Sequence, residues 1–465
     1  MYRFSLTKWS VGLCVLATLA AVARAAAAPP HNPQHDVPPA LRDTDWPRFL
    51  GPRGDSRSPE TGIQTEWRLN GPLVVWHHKL GTSYGIGSVA GGRFFQFDRY
   101  DDQARVICLD ARTGEFLWKS EYPTDYEDRV GYNNGPRSSP VVDEDRVYSY
   151  GAEGMLCCMR AQDGTLLWKV DTVKKFGVVQ NFFGVGSTPV VYGDLLLVMV
   201  GGSPAESQDA GRFDMDRVKS NGSGLVAFDK RTGKVKYATA DVLASYATPQ
   251  LARIGNRDWC FLFARDGLVA LDPQTGKVDF HYPWRARLHD SVNASTPVVV
   301  GDEVFISEAY GPGSSLLRVK PGGYEVVWCD PPGGNKAMQC HWNTPIYHEG
   351  YLYGSSGRYT GSAELRCVEW KTGRVMWGQP KLGLVSLLYV DGHFVCLSDH
   401  GTLRLIKATE KRYVEVAKAV VREKSGDPAL IKPPAWAAPI LSHGLLYLRG
   451  EDRFVCLRLL GQLGH

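Results

Sequence analysis

The sequence LDARTGEFLW, residues 109–118, decides the fold because recognisable copies of it recur along the chain. Each copy places a polar turn, usually with Thr-Gly, between two apolar runs and ends on an aromatic residue. The clearest further copies are FDKRTGKVKY at 228–237, LDPQTGKVDF at 271–280 and WKTGRVMW at 370–377, with looser copies at 163–168 and 321–328. Self-similarity at a spacing of about 40–50 residues predicts a repeat architecture built from one supersecondary unit.

A second motif, a small residue followed by proline and an apolar run, alternates with the first. It is clearest at Ser139–Val142, Thr188–Val191 and Thr296–Val299, and weaker at 248–249, 344–345 and 438–439. Proline is tolerated at the first residue of a strand, where it need not donate to the ladder. The two motifs together give four short strands per unit, which is the content of a propeller blade. We therefore predict an all-β fold of radially stacked four-stranded blades.

Counting the units predicts eight blades. Six units end at Trp118, Trp168, Tyr237, Phe280, Trp328 and Trp377, and a degenerate seventh runs from Leu384 to about Val421. The eighth starts at Ala438 and stops after three strands, and the apolar run at 72–78 supplies the missing strand. The last blade is thus predicted to be closed by the N-terminal strand, which leaves the ring without an open edge. Seven blades is the alternative if the degenerate unit is not a blade.

The N-terminal residues predict export. Arg3 and Lys8 precede an apolar run that is short for a bilayer span, and Ala23-Arg24-Ala25 resembles a cleavage site. We interpret residues 1–25 as a signal peptide, 26–45 as a disordered linker and 46–465 as the propeller domain. An uncleaved membrane anchor is the alternative. After cleavage we expect no transmembrane segment and a periplasmic or secreted location.

The charge of the chain argues against polyanionic partners. The formal net charge is +4, and removal of residues 1–25 takes away three basic residues and no acid, which leaves +1. A near-neutral protein has no electrostatic footprint for nucleic acid or an anionic membrane. We therefore expect neither as a partner.

The repeats resemble those of the pyrroloquinoline quinone (PQQ)-like β-propeller family, which includes the quinoprotein alcohol dehydrogenases and BamB of outer-membrane protein assembly. The resemblance covers residues 46–459. The opening WPRFLGPRG at 46–54 is also similar to that of many secreted members of undefined activity. These motifs are specific for the fold and not for a reaction, because site chemistry decides function.

The resemblance implies two different functions. Similarity to BamB implies a non-enzymatic binding or scaffold module of the cell envelope, monomeric, with an envelope protein or a small molecule as its ligand. The alternative is a PQQ- and calcium-dependent dehydrogenase that oxidises an alcohol or a sugar, with PQQ and calcium as its cofactors. The calcium ligands of such enzymes are Glu, Asn and Asp, and they cannot be matched residue by residue to this sequence. We therefore assign no metal ligand, and we expect a cofactor only under the dehydrogenase alternative.

The cysteines fall at positions that other repeats fill with alanine. Cys108, Cys158 and Cys367 align with such alanines, which predicts small, buried and unpaired thiols. The resemblance implies an alternative for Cys157-Cys158, because some quinoprotein dehydrogenases carry a disulfide between adjacent cysteines against the cofactor. Here the pair lies inside a predicted strand, where successive side chains face opposite ways.

The long connections between strands are predicted to share one face of the propeller. They span residues 122–136, 171–186, 202–222, 283–293 and 330–343, and long loops on a rigid scaffold commonly carry binding sites. The residues expected to ring the axis on this face, as ligand-binding candidates, are Asn134, Arg137, Phe183, Tyr246, Asn293, His341, Trp342, Asn343 and Trp436. The alternative is that they only cap the channel and satisfy loop backbone.

Two carboxylates on this face, Asp290 and Glu308, are the candidates for a catalytic base or a metal ligand. Carboxylates on loops are also commonly just solvated, and this alternative stays open. The polar segment 202–222 is interpreted as an insertion in the third blade that is a lid, a calcium-binding loop or mobile surface.

Overall fold

The computed structural model describes residues 44–179, 181–210, 214–288 and 290–461. These residues form eight four-stranded antiparallel sheets arranged as an eight-bladed β-propeller, which confirms the predicted fold class. The predicted signal peptide and residues 26–43 of the predicted linker lie outside the described residues. None of the helices in the described part of the chain combines the length and apolar character needed to cross a membrane.

The first described strand is β1 (Leu73–Lys79), and the next four blades follow it in chain order. Blade 1 contains β2 (Ser88–Ala90), β3 (Arg93–Tyr100), β4 (Gln103–Asp110) and β5 (Phe116–Pro123). Blade 2 contains β6 (Val141–Asp143), β7 (Arg146–Tyr150), β8 (Met155–Arg160) and β9 (Leu166–Asp171), followed by the helix α1 (Thr172–Phe176). Blade 3 contains β10 (Val190–Tyr192), β11 (Leu195–Met199), β12 (Leu225–Asp229) and β13 (Val235–Thr239). Blade 4 contains β14 (Gln250–Ile254), β15 (Arg257–Ala264), β16 (Gly267–Leu271) and β17 (Val278–Pro283).

The second half of the ring continues in the same order. Blade 5 contains β18 (Val298–Val300), β19 (Glu303–Ser307), β20 (Ser314–Lys320) and β21 (Gly323–Cys329). Blade 6 contains β22 (Ile346–His348), β23 (Tyr351–Ser356), β24 (Glu364–Glu369) and β25 (Val375–Pro380). Blade 7 contains β26 (Val385–Val390), β27 (His393–Ser398), β28 (Thr402–Lys407) and β29 (Glu415–Val420). Blade 8 contains β30 (Ile440–Ser442), β31 (Leu445–Arg449) and β32 (Arg453–Arg458), and β1 completes it.

The ring closes as the sequence predicts. Strand β1 pairs antiparallel with β32, with Leu73 opposite Arg458 and Trp76 opposite Cys456. The degenerate seventh unit is a full blade, so the count is eight and not seven. The first strands of neighbouring blades contact one another, which places them innermost. The insertion between β11 and β12 contains two short 3-10 turns, at Ala205–Ser207 and Met215–Arg217.

The aromatic residue that ends every repeat except that of blade 7, where Ala417 takes its position, docks on the next blade. In most blades its N–H or O–H donates to a backbone carbonyl in the Thr-Gly turn, or its counterpart, of the neighbour. These bonds join Trp76 to Ala111, Trp118 to Ala161, Trp168 to Lys230, Tyr237 to Pro273, Trp328 to Trp370 and Trp377 to Thr409, at 2.6–3.2 Å. The aromatic side chain also packs over the turn glycine, as the Trp118 indole does over Gly164. The residues of the repeat motif thus form the contact between neighbouring blades.

An opening segment, residues 44–64, crosses the face of the propeller that carries the short turns. It forms backbone hydrogen bonds to blade 1 at Val89, to blade 2 at Val142, to blade 7 at Tyr389 and to blade 8 at Leu459. The carboxylate of Asp391, in the first turn of blade 7, accepts a hydrogen bond from the Gly62 N–H at 2.8 Å. The segment therefore seals this end of the channel.

The boundary of the predicted linker needs a small correction. Asp45 is buried, and its carboxylate lies 2.7 Å from Nε2 of His443. The carbonyl of Thr44 accepts a hydrogen bond from the Ser442 hydroxyl at 2.7 Å. Packing at the short-turn face fixes both residues, so the structured domain includes residues 44 and 45.

The cysteines within the described residues are all free, and only Cys329 among them is exposed. Cys157 and Cys158 lie inside β8 and pack on opposite faces of it. Cys157 contacts the layer between blades 1 and 2, and Cys158 the layer between blades 2 and 3. The pair is therefore part of the core and does not face the axis.

The Gly164→Ala substitution should destabilise the protein by roughly 2 kcal/mol or more. Gly164 has a positive φ of 74°, and a Cβ there would lie 2.5 Å from the Trp118 ring. Gly193→Ala is the matched control, because Gly193 also has a positive φ but no atom lies within 4 Å of its Cβ position. The control should lose only about 1 kcal/mol, the cost of the backbone conformation alone. Equal midpoints of urea unfolding for the two variants would contradict the docking contact.

The Trp76→Ala substitution should cost about 3–5 kcal/mol, because it removes a large buried side chain at the closure of the ring. Trp76 is buried against Phe94 and Tyr447, at centroid distances of 5.8 and 5.9 Å. Leu73→Ala, in the same strand but 57% exposed, is the control and should change stability by less than about 0.5 kcal/mol. Guanidinium unfolding followed by tryptophan fluorescence and circular dichroism measures both. Similar losses in the two variants would show that closure does not depend on this side chain.

Candidate functional site

The channel widens into a cavity of about 520 Å³ on the long-loop face. Its walls come from residues just before the first strands of the blades and from the connections between second and third strands. Phe49 and Leu50 of the opening segment also line it, at the end that the segment seals. The volume lies in the range of about 300–1,000 Å³ that is usual for small-molecule sites.

A relay of hydroxyl groups holds the residues that enter the first strands. The Ser139 N–H donates to the Thr188 hydroxyl at 3.1 Å, and the Thr188 N–H donates to the Thr248 hydroxyl at 3.4 Å. The Thr296 N–H donates to the Thr344 hydroxyl at 3.1 Å. Each bond links one blade to the next beside the axis. The Ser/Thr-Pro motif of the sequence therefore fixes the side chains that immediately precede it.

The structure brings eight of the sequence-predicted residues together around this cavity. They are Arg137, Phe183, Tyr246, Asp290, His341, Trp342, Asn343 and Trp436. That they bind a ligand stays a prediction.

Aromatic rings form a nearly continuous wall. Trp436 lies between Tyr84 and Trp342, at centroid distances of 4.6 and 4.8 Å and with both interplanar angles at 41°. Tyr132 contacts Trp436 and Phe183, and Phe183 contacts Tyr246 at 5.6 Å. The Phe183 N–H donates to the Tyr246 hydroxyl at 2.8 Å, which holds this corner of the wall.

Both arginines of the lining are paired with carboxylates. Arg137 forms an ion pair with the buried Asp128 and donates to the carbonyl of Asn133 at 2.9 Å. Arg358 donates to Asp290 at 2.9 Å and lies over the Tyr310 ring, with its guanidinium carbon 4.2 Å from the centroid. Each positive charge is therefore neutralised within the wall.

His341 is neutral at physiological pH. Its Nε2 lies 3.0 Å from the Tyr310 hydroxyl, and its Nδ1 has no hydrogen-bond partner among the described residues. Burial, aided by the charge of Arg358, lowers the pKa of His341 to about 4. The imidazole thus lines the cavity without adding a charge to it.

Three sequence candidates lie outside the lining and hold loops instead. The amide oxygen of Asn134 accepts from the Asp128 N–H at 2.8 Å, and Asn293 donates to the carbonyl of Ala264 at 2.8 Å. Glu308 is buried and accepts from three backbone N–H groups, those of Tyr310, Gly311 and Gly313. Burial raises the pKa of Glu308, although these hydrogen bonds oppose the shift. For Asn134 and Asn293 these bonds fit the loop-satisfying alternative, whereas Glu308 is buried and so is not the solvated carboxylate of its own alternative.

Sequence reasoning missed several residues of the cavity. Tyr84 precedes the first strand of blade 1 as Trp436 does in blade 8, but blade 1 lacks the Pro signal that marks the position. Tyr132 lies in the long connection between blades 1 and 2, and the other missed members lie in connections between second and third strands, where only loop length gives a signal. The missed residues that the site uses are Tyr84, Tyr132, Tyr310, Arg358 and Tyr359.

The residues present do not fit a calcium-bound quinone. Asp290 is held by Arg358, and the Glu308 oxygens are occupied by backbone N–H groups. The Asn343 amide oxygen accepts from the His341 N–H at 3.3 Å. Within the described ranges, no group of three or more His, Cys, Asp or Glu side chains could hold a metal ion together. Calcium needs six to eight converging oxygens, and no such group of carboxylates assembles among the described residues.

Comparison with known proteins identifies the relatives of this chain. The sequence model of a family described as outer membrane protein assembly factor BamB matches residues 70–212 and 104–379. The dehydrogenase subunit of an alcohol dehydrogenase (quinone) from Gluconobacter oxydans (strain 621H) is 23% identical over 338 residues, which cover 58% of this chain. The match spans 42% of the length of that curated relative.

Two solved structures share the architecture. BamB from Moraxella catarrhalis superposes with a TM-score of 0.56 at 13% identity, over 84% of this chain and 99% of that one. The quinohemoprotein alcohol dehydrogenase from Comamonas testosteroni gives a TM-score of 0.60 at 12% identity, over 92% of this chain and 82% of the other. At these identities the likeness shows the fold alone.

Protonation of His341 should destabilise the folded protein. The unfolded chain takes up this proton near pH 6.5 and the folded chain only near pH 4. The contribution of the neutral His341 imidazole to the free energy of unfolding is therefore complete above about pH 6.5 and is lost as the pH falls toward 4. We expect wild type to lose up to roughly 3 kcal/mol more than His341→Gln between pH 7 and pH 4 in urea unfolding. The exposed His281→Gln is the control, and parallel pH curves for wild type and His341→Gln would contradict the assignment.

Proposed function

The chain belongs to the PQQ-like β-propeller family, and from this premise we propose that it is a non-enzymatic binding module of the cell envelope, with the axial cavity as its binding site. The observation that carries the proposal is the composition of the wall. Aromatic rings line it, and Arg137, Arg358 and Asp290 are all engaged in ion pairs. Such a site can bind and orient a ligand, and the one carboxylate among the described residues of its lining, Asp290, is paired with an arginine.

The geometry of the scaffold supports this role. Rings held at fixed distances by their neighbours present contact area that is already ordered, so little conformational entropy is lost on binding. The opening segment closes the far end of the channel, so a ligand can approach from the long-loop face. The signal peptide predicted at residues 1–25 supports a place in the periplasm or outside the cell.

A quinone-dependent dehydrogenase is the second candidate, and similarity to the Gluconobacter oxydans subunit favours it. When bound, the quinone supplies the oxidising chemistry of such enzymes. The protein must then provide calcium ligands and a base. Asp290 and Glu308, the carboxylates nearest this role, are committed to Arg358 and to backbone N–H groups. The site therefore supports binding better than oxidation.

Titration with PQQ separates the two candidates. We expect no calcium-dependent heat in calorimetry of the full chain with PQQ, and no reduction of an artificial electron acceptor with ethanol or glucose as the substrate. The physical reason is that, within the described part of the chain, no three His, Cys, Asp or Glu side chains come together to hold the metal. A quinoprotein alcohol dehydrogenase run in parallel is the positive control. Stoichiometric, calcium-dependent PQQ binding with turnover would overturn the proposed function in favour of the dehydrogenase.

A further inference from the structure

We propose that the axial cavity binds a neutral saccharide, whose flat ring faces stack on the aromatic wall and whose hydroxyls bond to Asp290 and Arg358. This inference deepens the proposed function and rests on it, because it names the ligand class of the same site. It follows from three properties of the cavity: its charge, its ring surfaces and its polar groups.

The charge of the wall selects a neutral ligand. The charged residues of the lining are Arg137, Asp290 and Arg358, and Arg137 is neutralised by Asp128 behind it. A polyanion would need cations that are free to pair with it, and both arginines already have a carboxylate partner. A cationic ligand would enter an aromatic cage but would meet the two guanidinium groups at its walls. A neutral ligand disturbs neither ion pair.

The rings provide stacking surfaces that extend to the solvent. Trp342, Trp436 and Tyr84 form a curved row inside the cavity, in which each ring is tilted by 41° from the next. At the mouth, Tyr132 is 57% exposed and Tyr359 is 64% exposed. Large aromatic side chains so exposed beside a cavity indicate a surface that a ligand covers. Tyr132 and Tyr359 thus offer exposed rings at the mouth, on which the flat faces of a saccharide can stack.

The polar groups fit adjacent hydroxyls. Asp290 and Arg358, 2.9 Å apart and both partly exposed, place an acceptor and a donor side by side. A hydroxyl both donates and accepts, so two neighbouring hydroxyls can bond to such a pair without breaking it. A planar hydrocarbon ligand could form hydrogen bonds with neither of these two side chains.

Saccharide titration of the full chain tests the inference. Cellotetraose, maltotetraose and chitotetraose serve as probes, and binding is followed by calorimetry and by tryptophan fluorescence. We expect at least one of them to bind and to shift the fluorescence, because Trp342 and Trp436 lie in the wall. Trp436→Ala should weaken that binding by about tenfold or more. Tyr132→Ala is a second test variant. Because the Tyr132 side chain is exposed, its removal should leave the fold intact, and it should weaken binding as well.

The matched control is Phe116→Ala, which removes an aromatic ring that is 50% exposed on an outer strand away from the cavity. Its affinity should equal that of wild type. Failure of all three saccharides at millimolar concentration would overturn the ligand class, and so would binding that neither Trp436→Ala nor Tyr132→Ala weakens.

The outcome separates this inference from the proposed function. A saccharide that binds and is recovered unchanged by chromatography supports both. A saccharide that binds and is cleaved or oxidised supports the ligand class and overturns the non-enzymatic role. Absence of saccharide binding together with absence of PQQ turnover overturns the ligand class alone.

Discussion

The structure depends on one contact repeated around the ring, an aromatic side chain of one blade docked on the Thr-Gly turn, or its equivalent, of the next. A four-stranded sheet cannot bury both of its faces alone, so each blade is stable only against its neighbours. The indole N–H of Trp118 donates to the Ala161 carbonyl at 3.1 Å while its ring covers Gly164. The contact therefore combines burial of a large apolar surface with satisfaction of a buried polar group. Only a residue without a side chain leaves room for the ring.

This constraint at the outer part of each blade also positions the site at the axis. Once the docking contacts fix the angle between blades, the inner strands can lie only at one distance from one another. The hydroxyl relay from Ser139 to Thr188 and on to Thr248 is possible because of that spacing. The residues just before the relay then project into the channel, where they form the aromatic wall. The packing between blades thus determines the positions of the residues that line the cavity.

The sequence was sufficient to predict those features of the fold that depend on residues recurring at a regular spacing. Turn glycines, terminal aromatics and Ser/Thr-Pro pairs recur at a regular spacing, so the blade type, the number of blades and closure by β1 could all be predicted and are confirmed. The cavity was predicted in part, because Trp342 and Trp436 precede a recognisable strand start. Arg358 and Tyr310 were missed because they lie in loops without periodicity. Glu308 was a candidate on residue type alone, and only the fold shows that backbone N–H groups occupy its oxygens.

The relatives show why the wall, and not the fold, decides what this protein does. BamB from Moraxella catarrhalis and an alcohol dehydrogenase from Comamonas testosteroni share this architecture at comparable TM-scores, 0.56 and 0.60. Superposition therefore cannot distinguish a binding role from a catalytic one, and the proposed binding role rests on the charges in the cavity instead. A carboxylate that pairs with an arginine stabilises the wall, and breaking that pair to accept a metal or a proton would cost the energy of the pair. In this chain Asp290 is so paired and Arg137 is balanced by Asp128, so aromatic rings make up much of the uncharged surface of the cavity.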